Sequence, residues 1–362
     1  MISKRSQPIR VLVVEDSPTA RDFLVGLFNR TGDMTVVGTA LDGEEGVRRA
    51  VRLRPDVVAM DIHMPRLDGL EATRRIMREA PTRIVLVTGS VMKSDVDLAF
   101  ESLKAGALTV VHKPGADDPA ACDHVIQTIR LMADVPVVTR WRTERTRALS
   151  AEPSVSTASV NPIQTLAQED CTNRKIIGIA SSTGGPSTLV SALKPLPPDF
   201  PLPILIVQHI TKGFGTSLAE WINSQVPIQV KTARPNEEVA RGTVLIAPDD
   251  YHMTVNNRGM IVLTQEAPYK GLRPSANFLF NSLAQSYGKQ AVGIIMTGMG
   301  DDGVEGLVKL HQKGGLTIAQ NEASCVVYGM PREAVMRNAI QYIFTPDQIA
   351  SALLQLTGNE GG

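Results

Sequence analysis

Three polar side chains that could form a catalytic set follow three strand-like segments in the second half of the sequence. Residues 176–186, IIGIASSTGGP, are apolar at first and then carry Ser182 into a glycine-rich turn that precedes a helical pattern. His209 ends the apolar run PILIVQH, and Asp302 lies in the glycine-rich loop after AVGIIMT. Parallel strands bring their carboxyl ends to one edge of a sheet, so these three side chains could meet there. They would then supply the nucleophile, base and orienting carboxylate of a serine hydrolase.

Each of these signals also has a plainer interpretation when it is taken alone. A serine in a glycine turn at a helix start can be an anion pocket or only a turn. His209 could be a packed histidine, and Asp302 could cap the helix that begins GVEGLVKL. A dinucleotide-binding turn is disfavoured, because residues 178–183 lack two of the three glycines and no acid ends the next strand.

A second set of polar residues follows strand-like segments near the amino terminus. Five such segments, each followed by a helical pattern, predict a parallel, doubly wound sheet: 9–14, 34–38, 56–60, 83–87 and 108–111. Their carboxyl ends carry Glu15, Asp16, Asp61, Thr88 and Lys113. Three converging carboxylates suit Mg²⁺, and a lysine beside them could help to accept a phosphoryl group. The alternative is that the acids only cap helices and that Thr88 only begins a turn.

Composition limits the classes of partner. The 362 residues include 37 basic and 37 acidic side chains, so no overall field favours nucleic acid or an anionic membrane. No apolar run is long enough to span a membrane, and the amino terminus lacks the apolar core of a signal peptide, which predicts a cytoplasmic protein. The three cysteines are far apart and predict neither disulfides nor a zinc site. A DNA-binding transcription domain would need a basic recognition helix, and the sequence shows none after residue 174.

The chain is expected to contain two domains and a linker. Residues 134–173 lose periodicity and are rich in Ser, Thr and Pro, which predicts a flexible linker. Its arginine cluster around Trp141 could contact the other domain or a receptor, but a solvated face is the favoured interpretation. The linker separates a first domain, 1–133, from a second, 174–362. The second domain again alternates strands and helices, and the short segments 244–247, 252–255 and 260–263 predict an antiparallel ribbon within it. Both domains are therefore predicted to be α/β, with doubly wound, mainly parallel sheets.

Residues 8–132 resemble the response-regulator receiver domain, which has a flavodoxin-like fold. The resemblance rests on VLVVEDS, VVAMDIHMPRLDGLEA, VTGS and HKPG. It implies that Asp61 is the phosphorylated residue, that Glu15, Asp16 and Asp61 hold Mg²⁺, and that Thr88 and Lys113 form the switch. The family usually has Tyr or Phe three residues before the lysine, whereas this chain has Val110.

The second domain resembles the catalytic domain of chemotaxis-type protein-glutamate methylesterases, a Rossmann-like hydrolase domain. The shared motifs are SSTGGP, VQH, IAPDDYHM, RPSANFLF, VGIIMTGMGDDG and AQNEASCVVYGMPREA. The resemblance assigns the nucleophile to Ser182, the base to His209 and the orienting carboxylate to Asp302. This chain has Ser181 and Asp301 where the family commonly has Ala and Asn, so each neighbour is an alternative by one residue. Backbone N–H groups of Thr183 and Met299 are candidate oxyanion donors.

The resemblance also implies the substrate and the partners. These would be γ-glutamyl methyl esters of a methylated chemoreceptor, some receptor glutamines, and a chemosensory histidine kinase as phosphodonor. Neither nucleic acid nor membrane insertion is expected, and the esterase is expected to need no cofactor. A different class of function is a phosphorylation-controlled binding module whose second domain has lost activity. The complete Ser-His-Asp set argues against that alternative, and methanol release would discriminate between the two.

Overall fold

The computed structural model describes residues 7–89, 93–135 and 173–357. These residues belong to two compact units. Most of the predicted linker, including its arginine cluster and Cys171, lies outside the described residues. Among the residues that are described, no helix is long and apolar enough to cross a membrane.

The first domain is a five-stranded parallel sheet with the strand order β2-β1-β3-β4-β5. Its strands and helices alternate along the chain, as the sequence pattern predicts. In order they are β1 (Ile9–Val14), α1 (Pro18–Asn29), β2 (Met34–Ala40), α2 (Gly43–Leu53), β3 (Val57–Met60), α3 (Gly69–Glu79), β4 (Arg83–Thr88), α4 (Lys93–Ala105), β5 (Thr109–His112) and α5 (Pro119–Met132).

Four of these helices have a side-chain N-cap, and three of the caps are acidic residues. Ser17 caps α1, and Asp42, Asp68 and Asp118 cap α2, α3 and α5 through the backbone N–H three residues further on. None of the three acids predicted to hold a metal is an N-cap. The capping alternative therefore does not describe them.

The second domain is built on a seven-stranded parallel sheet with the order β14-β13-β12-β6-β7-β9-β8. Two further strands, β10 and β11, form a separate antiparallel ribbon. The elements are β6 (Ile176–Ser181), α6 (Gly185–Leu193), β7 (Ile204–Gln208), α7 (Gly215–Gln225), β8 (Gln229–Thr232), β9 (Thr243–Ile246), β10 (His252–Val255), β11 (Ile261–Thr264), α8 (Ala276–Ser286), β12 (Ala291–Ile295), α9 (Val304–Gln312), β13 (Leu316–Gln320), α10 (Met330–Met336), β14 (Tyr342–Phe344) and α11 (Pro346–Gln355).

The predicted fold class is confirmed in both domains, and the middle of the second domain differs from the expectation in detail. The ribbon consists of β10 and β11, while β9 joins the main sheet between β7 and β8. Strand β8 was not predicted. Its alternating burial marks it as an edge strand, whereas all residues of β9 are buried on both faces of the sheet.

Two paired glycines let helices pack closely against the middle of this sheet. Gly178 on β6 pairs with Gly293 on β12. A Cβ atom at Gly178 would lie 2.4 Å from Leu283 Cδ1 and 3.3 Å from Phe280 Cε1, both on α8. The missing side chains therefore set how near α8 lies to the sheet, and the amino end of α8 faces the loop that follows β12.

We expect Gly178→Ala to lower the free energy of unfolding of the second domain by about 1–3 kcal/mol, because an added methyl group overpacks the core. Urea unfolding followed by Trp221 fluorescence, in a background with Trp141→Phe, measures this. Gly115→Ala is the control, since a Cβ there would have no neighbour within 4 Å. Equal midpoints for the two variants would contradict the packing argument.

Candidate active site

The three residues predicted to act as a hydrolase set lie at the carboxyl edge of the seven-stranded sheet. Ser182 follows β6, His209 follows β7, and Asp302 lies in the loop after β12; β6 is the strand between the other two. The backbone N–H of Ser182 donates to the carbonyl of Thr297 (2.9 Å), and that of His209 donates to the carbonyl of Ser181 (2.9 Å). Because neighbouring strands lie about 4.8 Å apart, Ser182 and His209 are neighbours across this edge.

His209 and Asp302 are in direct contact. Nε2 of His209 lies 2.8 Å from Oδ2 of Asp302, and their side chains are 10% and 2% exposed. Nδ1 is therefore the ring nitrogen that remains for another partner. In chymotrypsin-type triads the ring is turned the other way, with Nδ1 toward the aspartate. Among the described residues, no hydrogen bond occupies the Ser182 hydroxyl or His209 Nδ1.

The Asp302 carboxylate accepts further hydrogen bonds from the amino end of α8. Oδ2 accepts the N–H of Ala276 (2.6 Å), while Oδ1 accepts the hydroxyl of Ser275 (2.6 Å) and the side-chain amide of Asn277 (3.1 Å). Burial alone would raise the pKa of Asp302. The bonds from His209, Ser275 and Ala276 outweigh burial and hold the pKa below its usual value, so the carboxylate stays ionised.

The neighbouring serine and aspartate have different partners. Ser181 is fully buried and donates its hydroxyl to Oε1 of Gln208 (2.6 Å). Asp301 forms ion pairs with Lys270 (2.6 Å) and Arg337 (3.6 Å). Helix α9 has Gly303 at its N-cap and no side-chain cap, so Asp302 does not cap that helix. The aspartate that His209 contacts is thus the one the sequence singled out.

Two polar residues that the sequence analysis missed tie the site loops together. The amide of Gln208 donates to the carbonyls of Ser182 (2.8 Å) and His209 (2.7 Å). The hydroxyl of Thr297 donates to the carbonyl of Thr183 (2.9 Å) and accepts the N–H of Val327 (3.0 Å). Gln208 ends one apolar strand run and Thr297 follows another, as His209 does. This position is the sequence feature that could have indicated their role.

The two candidate oxyanion donors each precede a glycine whose backbone is in the left-handed conformation. Thr183 precedes Gly184 (φ 78°), and Met299 precedes Gly300 (φ 85°). A Cβ atom at Gly298 would lie 2.7 Å from Cβ of Ser182, so a glycine there lets the Met299 loop approach the serine. Within the described part of the chain, no hydrogen bond uses the backbone N–H of Thr183 or Met299.

The first domain brings its predicted acidic residues together at the carboxyl ends of β1 and β3. Ligand oxygens of Glu15, Asp16 and Asp61 lie within 4.8 Å of one another. Nζ of Lys113 lies 2.7 Å from Oδ2 of Asp61 and 3.0 Å from Oε1 of Glu15. Hard oxygen donors at this spacing fit a Mg²⁺ ion, which keeps several waters as ligands.

Lys113 partly neutralises the buried acids of this cluster. Burial raises the pKa of Glu15, and the Lys113 contact only partly opposes that rise. Burial would also lower the pKa of Lys113, but its hydrogen bonds to Asp61 and Glu15 outweigh burial and raise that pKa. Lys113 is thus charged and bonded to both carboxylates.

The predicted switch residues lie on the adjacent strands. Thr88 ends β4 and is paired with His112 of β5, and its carbonyl accepts the N–H of Lys113 (2.8 Å). Val110, on β5, is 4% exposed and belongs to the hydrophobic core of the domain. An aliphatic side chain therefore fills the position where an aromatic residue is usual in receiver domains.

Comparisons with known proteins match both halves of the chain. The model of the response regulator receiver domain matches residues 11–121, and that of the CheB methylesterase matches residues 177–353. The protein-glutamate methylesterase/protein-glutamine glutaminase 4 of Myxococcus xanthus is 42% identical over 99% of this chain and 99% of its own length. The protein-glutamate methylesterase/protein-glutamine glutaminase of Nitrosospira multiformis is 42% identical over 98% of each chain. A solved methylesterase catalytic domain of Thermotoga maritima CheB is 36% identical, covering 51% of this chain and 98% of its own, with a TM-score of 0.49.

Identity at this level over nearly the full length of both chains extends through the receiver and the hydrolase-like domain alike. The arrangement of the two matched models, receiver first and methylesterase second, follows the two α/β domains described above. The chain therefore belongs to the protein-glutamate methylesterase/protein-glutamine glutaminase family and carries a response regulator receiver domain followed by a CheB methylesterase domain.

Proposed function

We propose that this chain is a phosphorylation-regulated serine hydrolase that removes methyl groups from γ-glutamyl methyl esters of chemoreceptors and deamidates some receptor glutamines. The observation that carries the proposal is the buried 2.8 Å contact between His209 Nε2 and Asp302 Oδ2 beside Ser182. The names of the relatives supply the substrates. The activity would serve adaptation in a chemosensory pathway.

The first half-reaction transfers the glutamyl group to the serine. Ser182 Oγ attacks the ester carbonyl while Nδ1 of His209 takes the hydroxyl proton, since Nε2 is engaged with Asp302. The ionised Asp302 stabilises the imidazolium that forms. The imidazolium then returns the proton to the leaving methoxy oxygen, which releases methanol and leaves a glutamyl ester on Ser182.

The second half-reaction uses the same groups on a water molecule. His209 takes a proton from the water as it attacks the acyl carbonyl, and the proton passes to Ser182 Oγ as glutamate is released. A glutamine side chain follows the same route with ammonia as the first leaving group. Backbone N–H groups of Thr183 and Met299 are proposed to bind the oxyanion, each contributing about 3–4 kcal/mol to transition-state stabilisation.

The receiver domain is proposed to accept a phosphoryl group on Asp61 from a chemosensory histidine kinase. The acidic cluster fits a Mg²⁺ ion held by Glu15, Asp16 and Asp61, and such an ion would offset the phosphoryl charge when bound. Lys113 contacts the free carboxylate of Asp61. After phosphorylation it would contact the phosphorylated side chain, which carries a charge of about −1.5 to −2. Its backbone bond to Thr88 connects that change to β4.

The competing class of function is a phosphorylation-controlled binding module without activity. In a domain that had lost its activity, Asp302 would not have to remain charged. Burial of a charged carboxylate lowers stability, so an inactive domain would gain nothing from keeping it. Here the carboxylate is buried, ionised and directed at an imidazole beside a serine. These contacts favour the enzyme over the binding module.

Ser182→Ala is expected to lower turnover on the order of 10⁴-fold or more, because no other hydroxyl replaces the nucleophile. Release of labelled methanol from methyl-labelled receptor membranes measures the turnover. Ser181→Ala is the matched control and should retain most of the activity, since that hydroxyl bonds to Gln208. Loss in Ser181→Ala with near-normal release by Ser182→Ala would place the nucleophile one residue earlier.

Asp61→Asn is expected to abolish labelling by a small phosphodonor such as acetyl phosphate with Mg²⁺, because the acceptor carboxylate is gone. The same donor should raise methanol release by the wild-type chain and leave Asp61→Asn unchanged. Asp68→Asn is the control, since Asn caps α3 as well as Asp does. Full labelling of Asp61→Asn would show that another residue is modified.

A further inference from the structure

The amino end of α8 provides the closest contact to Oδ1 of Asp302. Ser275 is fully buried and is the N-cap of α8. Its hydroxyl lies 2.6 Å from Asp302 Oδ1 and 3.3 Å from the backbone N–H of Asn277. A hydroxyl has one proton, so Ser275 donates to the carboxylate and accepts the N–H of Asn277.

This bond fixes which way the carboxylate faces. Oδ2 is the oxygen that meets His209, and Oδ1 is held on the other side by Ser275 and Asn277. Without the Ser275 hydroxyl, Oδ1 would keep only the two longer bonds from Asn277, at 3.1 and 3.3 Å. The Ser275 bond is the shortest hydrogen bond to Oδ1, and together with the equally short bond from Ala276 to Oδ2 it restrains rotation of the carboxylate.

Two histidines from other elements contact Asp302 and Ser275. His209 meets Asp302 from the loop after β7, and Nδ1 of His252 on β10 accepts the N–H of Ser275 (3.2 Å). His252 is fully buried, and burial lowers its pKa, so the neutral ring is available as that acceptor. The nearby charges on the flanking loops are already paired: Arg273 with Asp250, and Asp301 with Lys270.

We propose that Ser275 is a positioning residue of the hydrolytic site, whose hydroxyl holds the Asp302 carboxylate ionised and turned toward His209. This inference rests on the proposed function. Ser275 touches neither substrate nor the reacting atoms and acts through Asp302. Its capping of α8 is a second, separable role, because the cap uses the lone pair of the hydroxyl and the carboxylate uses its proton.

Ser275→Ala is expected to lower kcat by about ten- to a hundredfold with little change in KM, as for loss of a hydrogen bond to a buried charge. Loss of a donor to the ionised form raises the pKa of Asp302. Ser275→Thr keeps both the proton and the cap and should restore kcat and the pKa of Asp302.

Thr345→Ala is the matched control for capping alone. Thr345 caps α11 in the same domain with a capping box, in which it exchanges hydrogen bonds with Gln348. Its loss should lower stability like an ordinary cap and leave kcat and the pKa of Asp302 unchanged. If folded Ser275→Ala had the wild-type kcat and the wild-type pKa of Asp302, or behaved as Thr345→Ala does, the positioning role would be overturned.

A measurement without turnover separates this inference from the proposed function. Carboxyl ¹³C NMR of the full chain with labelled aspartate, assigned through Asp302→Asn, reports the pKa of Asp302 directly. A higher pKa in Ser275→Ala than in the wild type supports the proposal, and an equal pKa rejects it. Absence of methanol release by the wild-type chain would reject the methylesterase proposal, while the NMR titration would still decide the role of Ser275. If Ser275→Ala does not fold, Ser275→Gly, which loses the same proton at an N-cap position that tolerates glycine, takes its place.

Discussion

The methylesterase domain depends on keeping one buried carboxylate charged. Asp302 is 2% exposed, and an ionised carboxylate at that depth is stable only if several donors replace the water it has lost. His209 and the amino end of α8 provide those donors. A helix amino terminus already carries unpaired N–H groups and a favourable dipole, so α8 is suited to the task before any side chain is added. The contact that orients the imidazole and the contacts that ionise the carboxylate are thus parts of one arrangement.

That arrangement requires close approach of backbone segments, which explains the glycines around it. Gly178 and Gly293 lie side by side on the central strands, where the missing side chain of Gly178 leaves room for α8 and that of Gly293 leaves room for α9. Gly298 does the same for the loop that faces Ser182. A methyl group at any of these positions would lie less than 3.0 Å from a neighbouring side-chain atom, so the surroundings would have to shift. Core packing and the site geometry are therefore not independent in this domain.

The receiver domain also has to compensate buried carboxylates, but there the negative charge exceeds the positive charge. Here three carboxylates converge at the ends of parallel strands, and one lysine is bonded to two of them. The raised pKa of Glu15 shows that the lysine alone does not fully compensate for burial and mutual repulsion. A cluster with such an excess of negative charge suits a divalent cation, whereas hydrogen-bond donors surround the single carboxylate of the second domain. The same sheet-edge architecture thus presents two chemically different sites.

The sequence by itself determined the two α/β domains, the strands that carry each site, and the residues at their carboxyl ends. These are local properties: strand-length apolar runs, glycine turns, and the polar residue that ends each run. The sequence did not determine the orientation of the His209 ring, the separate bonding of Ser181 and Asp301, or the parts played by Gln208, Thr297 and Ser275. Nor did it predict that β9 joins the main sheet. Those features depend on strand order and on donors from elements that are far apart in the chain, so only the tertiary structure decided them.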